Sequence, residues 1–267
     1  MKRVLVTGGA GYIGSHTIVE LLNNGYAVTS IDNFSNSTSK TFDRIFKLTG
    51  KKVKNYNIDL SNHKKLESIF KDQEFDAIIH FAAFKAVGES VHEPLKYYDN
   101  NLGSLLGALK IAYNCNAQSI IYSSSATVYD QNEKTPFTEK SNLNPLSPYG
   151  MTKKIGEDIL FDYFKNNSNL KILSLRYFNP AGAHPSILLG ENPKGIPNNL
   201  IPIITKSLKE KKSFAVFGNT YKTPDKTCIR DYIHVVDVAR AHISALKYLE
   251  KKEILKKDFS FPIPRQF

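Results

Sequence analysis

Three glycines, Gly8, Gly11 and Gly14, follow directly on the apolar run Arg3 to Thr7 and open a helical pattern from Ile13 to Asn23. This arrangement limits the fold more than any other feature of the chain. The run is a strand's length, rich in β-branched residues, and ended by glycine. Gly25 supplies the stop after the helix. Glycines at this spacing permit a tight turn and let backbone come close to a bound group. The helix N-terminus then offers unpaired N–H groups and a partial positive charge. A strand, a glycine turn and a helix in this order predict a parallel sheet with an anion cradle at the strand's carboxyl end.

Five more short apolar runs continue the pattern. Strands are predicted at Ala27 to Ile31, Val53 to Ile58, Ala77 to His80, Ser119 to Tyr122 and Lys171 to Leu175. Helical spacing recurs at Leu66 to Phe70, Leu95 to Tyr113 and Tyr149 to Phe164. Alternation of this kind predicts an α/β fold, a doubly wound parallel sheet. After Asn179 the pattern changes. Pro180 to Asn199 is rich in Pro, Gly and Asn and reads as a long loop. Helices are expected at Leu200 to Leu208 and Val235 to Leu249, and a short strand at Phe214 to Phe217. We therefore expect a dinucleotide-binding region over 1–179, a smaller and incomplete substrate-binding region over 180–255, and an atypical tail over 256–267.

Composition narrows the function classes. Of 267 residues, 41% are hydrophobic and 23% charged, so a sizeable core needs no disulfide or metal staple. The net charge of +11 comes from scattered lysines rather than one basic element interleaved with aromatics, which argues against nucleic acid. Cys115 and Cys228 form no paired motif and read as ordinary reduced thiols, and no metal site is expected. No apolar stretch approaches the ~18 residues of a membrane span. The apolar N-terminal run is too short for a signal peptide. The expected compartment is the cytoplasm.

Asp32 ends the second strand, where a carboxylate can accept both ribose hydroxyls of NAD and would repel the extra phosphate of NADP. Other strand ends point into the same crevice: Asp59 and Leu60, with Asp59 able to accept from an adenine amino group, and then Phe81, Ala82, Ala83 and Lys85. Tyr149 and Lys153 stand four apart, on one face of a helix. A phenol near pKa ~10 is a poor base at neutral pH, and a neighbouring ammonium together with the positive nicotinamide ring favours the phenolate and lowers that value. Ser125, after the fifth strand, is placed to bond the same oxygen. Such a group can take a proton from an alcohol while hydride leaves its carbon.

Together these residues resemble the extended short-chain dehydrogenase/reductase family. Within it they resemble the branch that interconverts UDP-glucose and UDP-galactose. The resemblance is carried by VTGGAGYIGSH (Val6 to His16), DNFSNS (Asp32 to Ser37), HFAAFKAVGESV (His80 to Val91), YYDNN (Tyr97 to Asn101), SSSATVY (Ser123 to Tyr129), SPYGMTK (Ser147 to Lys153), RYFNPAGAHPS (Arg176 to Ser186), GIPNNL (Gly195 to Leu200) and RDYIHVVD (Arg230 to Asp237).

The resemblance implies an NAD that stays bound and is reduced and reoxidised within one turnover. Gly8, Gly11, Tyr12, Ile13, Gly14, Asp32, Asn33, Asn36, Ser37, Asp59, Leu60, Phe81, Ala82, Ala83, Lys85, Asn100, Tyr149, Lys153, Tyr177 and Phe178 would hold it. Lys85, Ser125, Asn179, Asn199, Leu200, Phe217 and Arg230 would line the UDP-sugar site, where a guanidinium suits a diphosphate. Ser125, Tyr149 and Lys153 would be the catalytic group. A homodimer through the helices around Asn101–Tyr113 and Lys154–Phe164 is also implied.

A nucleotide-sugar dehydratase is disfavoured, because Ser125 is followed by Ala126 and Thr127, which carry no carboxyl group for elimination. Another nucleotide-sugar epimerase or a decarboxylase stays open. Asp130 stands where the family usually has glycine. The resemblance runs to about Leu249. Beyond that point the family carries an arginine and an aspartate toward the UDP, so an incomplete substrate site is expected, and a truncated NAD-binding form with little or no activity is the other reading.

Overall fold

The computed structural model describes residues 1–166, 169–195 and 197–251, and the backbone of 260–262. Six strands form at or close to the predicted places: β1 (Arg3–Thr7), β2 (Ala27–Ile31), β3 (Lys54–Tyr56), β4 (Ala77–His80), β5 (Ser119–Ser123) and β6 (Lys171–Arg176). They pair in parallel in the order β3-β2-β1-β4-β5-β6, with helices between successive strands, which is the doubly wound arrangement. The third strand is shorter than predicted at both ends. Of the atypical tail, Ser260–Pro262 adds a further parallel strand beside Ser174 to Arg176, and its other residues lie outside the described ones.

Period-two burial explains why these runs become central strands. On β1, Val4 and Val6 face one side and Leu5 the other, and all three are fully buried. On β4 and β5, Ile79 and Ile121 join the first side while Ile78 and Ile120 join the second. The first layer is covered by α1 (Tyr12–Asn23), which also packs against the C-terminal helix Val235–Lys251. The second is covered by the helices His63–Phe70, Pro94–Asn114 and Pro148–Asn166, through Leu66, Leu105, Leu109 and Leu160.

Two helices were not predicted, Lys40–Thr49 and Val87–His92. The first buries only Thr41 and Ile45. The expected loop after Asn179 begins with a strand, Asn179–Ala181, which pairs in parallel with another unpredicted strand, Tyr232–His234. The expected strand at Phe214–Phe217 is absent. All four residues are exposed, and among the described residues no strand pairs with them, so their backbone groups are left to water. The predicted helix at Leu200 is present as Leu200–Glu210, with only Pro202 buried.

Leu105 is fully buried where the helix Pro94–Asn114 meets β4 and β5. Leu105→Ala should lower unfolding stability by roughly 2–5 kcal/mol, read from urea denaturation, with an unchanged m-value.

Candidate functional site

The glycine turn is shaped by contacts that exclude a side chain. Gly8 has φ +70, and a Cβ there would sit 2.9 Å from the Ala82 nitrogen. At Gly14 a Cβ would sit 2.2 Å from the Gly8 carbonyl oxygen. The first turn of α1 therefore lies directly against the end of β1. No side chain caps this helix and no acidic residue sits in its first turn, so its leading N–H groups point toward the crevice end. Among the residues present, this is a cradle that fits a pyrophosphate.

Asp32 is buried at the end of β2. One carboxylate oxygen accepts from the Ala10 nitrogen at 2.9 Å; the other accepts from the Phe34 nitrogen and the Ser37 hydroxyl, each at 2.8 Å. It thus ties the glycine turn to the loop after β2 and still has acceptor capacity for a ribose hydroxyl. Asn33 donates to Asp59 at 2.9 Å. Asp59 is raised by its partial burial but lowered more by bonds from Ser61 and Asn33, so the net shift is downward and it stays ionised. The Leu60 side chain points into the core instead, leaving only its backbone at the strand end. Ala82 stands against Gly8, and Phe81 packs on the His242 ring at 4.7 Å.

The catalytic candidates converge from three elements. Ser125 follows β5, Tyr177 follows β6, and Tyr149 and Lys153 lie in the first turns of the helix Pro148–Asn166. Tyr149 is half-buried, and its hydroxyl lies toward Ser125, whose own hydroxyl accepts from Thr127. Lys153 is 3% exposed and donates to the Ser123 carbonyl at 2.7 Å. Its ammonium lies 4.9 Å above the Tyr122 ring and 6.0 Å from the Tyr149 ring centroid. Beneath it, His80 stacks on Tyr122 and meets the Thr7 hydroxyl at 2.8 Å. Burial and the Lys153 charge push His80 down to about 3, so that ring is neutral.

The expectation that Lys153 and the nicotinamide ring together favour the phenolate concerns the NAD-loaded site. In the chain itself the Tyr149 phenol is raised, because burial outweighs the bond from Ser125. The Lys153 ammonium is directed to the Ser123 carbonyl. Tyr177 is likewise raised by burial, and its hydroxyl is hydrogen-bonded to Ser123.

A further carboxylate was missed in the sequence. Glu157, four residues beyond Lys153, is buried and accepts from Ser124 and from Arg176, the closest guanidinium contact being 2.6 Å. One side chain thus joins the helix of Tyr149 to the ends of β5 and β6. The repeat of four from Tyr149 to Lys153 to Glu157 was the available signal. Asn101 was also missed as a fastener: it bonds the Phe84 backbone at both ends and the Thr152 hydroxyl at 3.1 Å, while Asn100 donates to it at 2.9 Å.

The expected UDP-sugar residues are less gathered. Asn179 is bonded to the Asp231 carbonyl at 3.0 Å, and Asn199 donates to Glu191 at 2.8 Å. Lys85 is paired with the same Glu191 at 2.5 Å. Leu200 is 48% exposed, Phe217 is 86% exposed, and Arg230 turns back on the Ile229 carbonyl. The described residues do not bring Phe217 or Arg230 against the catalytic group. Phe178 is half-buried after β6.

Burial lowers Lys153 from 10.5 to about 7, with Glu157 opposing the fall. Between those values the unfolded chain binds the proton and the folded chain does not, so stability rises with pH across that window. Lys153→Met should remove this rise from the melting temperature of the NAD-free protein. An unchanged slope would show that the ammonium is not buried as described.

The sequence profile of the NAD dependent epimerase/dehydratase family matches residues 4–256. The UDP-glucose 4-epimerase of Dictyostelium discoideum is 47% identical over 252 residues, 94% of this chain and 73% of that protein. The bifunctional protein GAL10 of Pachysolen tannophilus is 48% identical over 254 residues, 93% of this chain, and the match spans 37% of its own length. The crystal structure of UDP-glucose 4-epimerase from Bifidobacterium longum, in complex with NAD+ and UDP, superposes with a TM-score of 0.90 at 46% identity, covering 98% of this chain and 77% of that one. With the glycine cradle, Asp32 and Ser125 at strand ends and Tyr149 and Lys153 on the helix beside them, the chain belongs to the NAD dependent epimerase/dehydratase family.

Proposed function

We propose that the chain interconverts UDP-glucose and UDP-galactose by transient oxidation at the sugar's C4, with NAD held at the glycine turn. The convergence of Ser125, Tyr149 and Lys153 beside that turn carries this reading. Relatives 46–48% identical to this chain bear the name UDP-glucose 4-epimerase, which favours it over decarboxylation. NAD, when bound, supplies the hydride acceptor and donor and a positively charged ring.

The chain's own residues do the rest. Tyr149 takes the proton of the 4-hydroxyl and later returns it. Ser125, at the end of the neighbouring strand, offers a second partner to the same sugar oxygen. Lys153 adds positive charge that favours the phenolate against the effect of burial. The oxidised sugar turns about its bond to the diphosphate and presents its other face. Asp32 selects NAD over NADP by accepting ribose hydroxyls. Asn179, Asn199, Leu200, Phe217 and Arg230 are assigned to the UDP-sugar, and Lys85 to both ligands.

We further infer that the chain divides functionally into 1–179 for NAD and 180–255 for the UDP-sugar, works in the cytoplasm and pairs as a homodimer. No helix among the described residues is long and apolar enough to cross a membrane. Leu106 and Tyr113 stand seven residues apart on one helix face and are 40% and 70% exposed, which supports pairing there. Sedimentation equilibrium should give twice the chain mass, and a monomer at micromolar concentration would refute the pairing.

Tyr149→Phe should cut conversion of UDP-galactose by more than about 100-fold and leave NAD binding largely intact. Undiminished turnover would remove Tyr149 as the base.

A further inference from the structure

The segment around Glu191 crosses the mouth of the dinucleotide cradle and is fastened to three of its loops. From the first turn of α1, the Tyr12 hydroxyl donates to the Gly182 carbonyl at 2.6 Å. From the loop after β2, the Phe34 carbonyl accepts from the Lys194 ammonium at 2.6 Å, and Asn36 accepts from the Lys194 nitrogen at 3.1 Å. From the loop after β4, Lys85 pairs with Glu191 at 2.5 Å. Glu191 is only 9% exposed, and it also accepts from Asn199 at 2.8 Å. The Lys85 ammonium lies 5.8 Å from the Tyr12 ring, so the pair sits over the first turn of α1.

A largely buried carboxylate at this point is a liability unless it is neutralised. Facing a cradle for pyrophosphate, it would repel the ligand. Paired with Lys85 it becomes part of a neutral clasp, and two donors fix its position.

We propose that Glu191 is a positioning residue: through Lys85 it holds its own segment across the cradle, and so sets how long the dinucleotide stays bound. This rests on the assignment of the glycine turn to NAD. It gives a physical reason for a cofactor that is reused rather than exchanged between turnovers. Asn199, held by the same carboxylate, links the clasp to the side assigned to the UDP-sugar.

The test is the rate at which NAD leaves the full chain, followed after dilution into an NAD-scavenging assay without any sugar. A charge-assisted bond in this setting is worth about tenfold in that rate. Glu191→Gln should therefore speed release by about tenfold, with the far-ultraviolet circular dichroism of the NAD-free protein unchanged. Lys85→Met, which strands the carboxylate, should speed release more than the double change Lys85→Met/Glu191→Gln does. A release rate for Glu191→Gln equal to the parent's, or slower, would overturn the proposal. So would a double variant worse than Lys85→Met. Because no sugar is present, a chain that binds NAD but does not epimerise still gives this readout, and only its epimerase assignment then fails.

Discussion

The site depends on how closely the start of α1 meets the end of β1. Gly14 touches the Gly8 carbonyl, and Gly8 lies under the Ala82 backbone in a left-handed conformation. Any side chain at either point would push the helix off the strand. That contact brings the leading N–H groups of α1 level with the ends of β2, β4 and β5, where Asp32, Ala82 and Ser125 emerge. Cofactor cradle and catalytic group are then neighbours because the strands are parallel and end on one side.

Electrostatics are arranged around two buried carboxylates with different tasks. Asp32 spends three acceptor positions on the chain itself, which fixes its direction before a ribose arrives. Glu157 closes a bidentate pair with Arg176 and reaches Ser124, joining the elements that carry Tyr149, Tyr177 and Ser125. Removing one partner would leave a buried charge, which costs far more than the pair contributes. Lys153 lies between these constraints: burial lowers it to about 7 while Glu157 supports its charge. Its proton is thus held loosely near neutral pH, beside a phenol that burial makes reluctant to ionise.

The local parts of this plan were legible in the sequence. Six strands showed as short apolar runs, and Tyr149 with Lys153 showed as one helix face. Lys40–Thr49 was missed although Phe42, Ile45 and Phe46 mark one face and Gly50 a stop, because little of it is buried. Other features were missed because no local pattern encodes them. The strand Asn179–Ala181 exists through a partner more than fifty residues away, Tyr232–His234. Glu191 acquires its importance from Lys85, across the crevice. Phe214–Phe217 failed in the opposite sense: its residues favour a strand, yet no strand among the described residues pairs with it. The raised Tyr149 phenol could not be foreseen from spacing, which shows that two residues share a face but not how deeply they lie.

The central claim is that one bound NAD takes hydride from C4 and gives it back to the same carbon. UDP-galactose carrying deuterium at C4 tests it directly. The account predicts UDP-glucose with the deuterium still at C4, formed without added NADH and without exchange with solvent. Loss of the label, or no UDP-glucose from protein that demonstrably holds NAD, would contradict it.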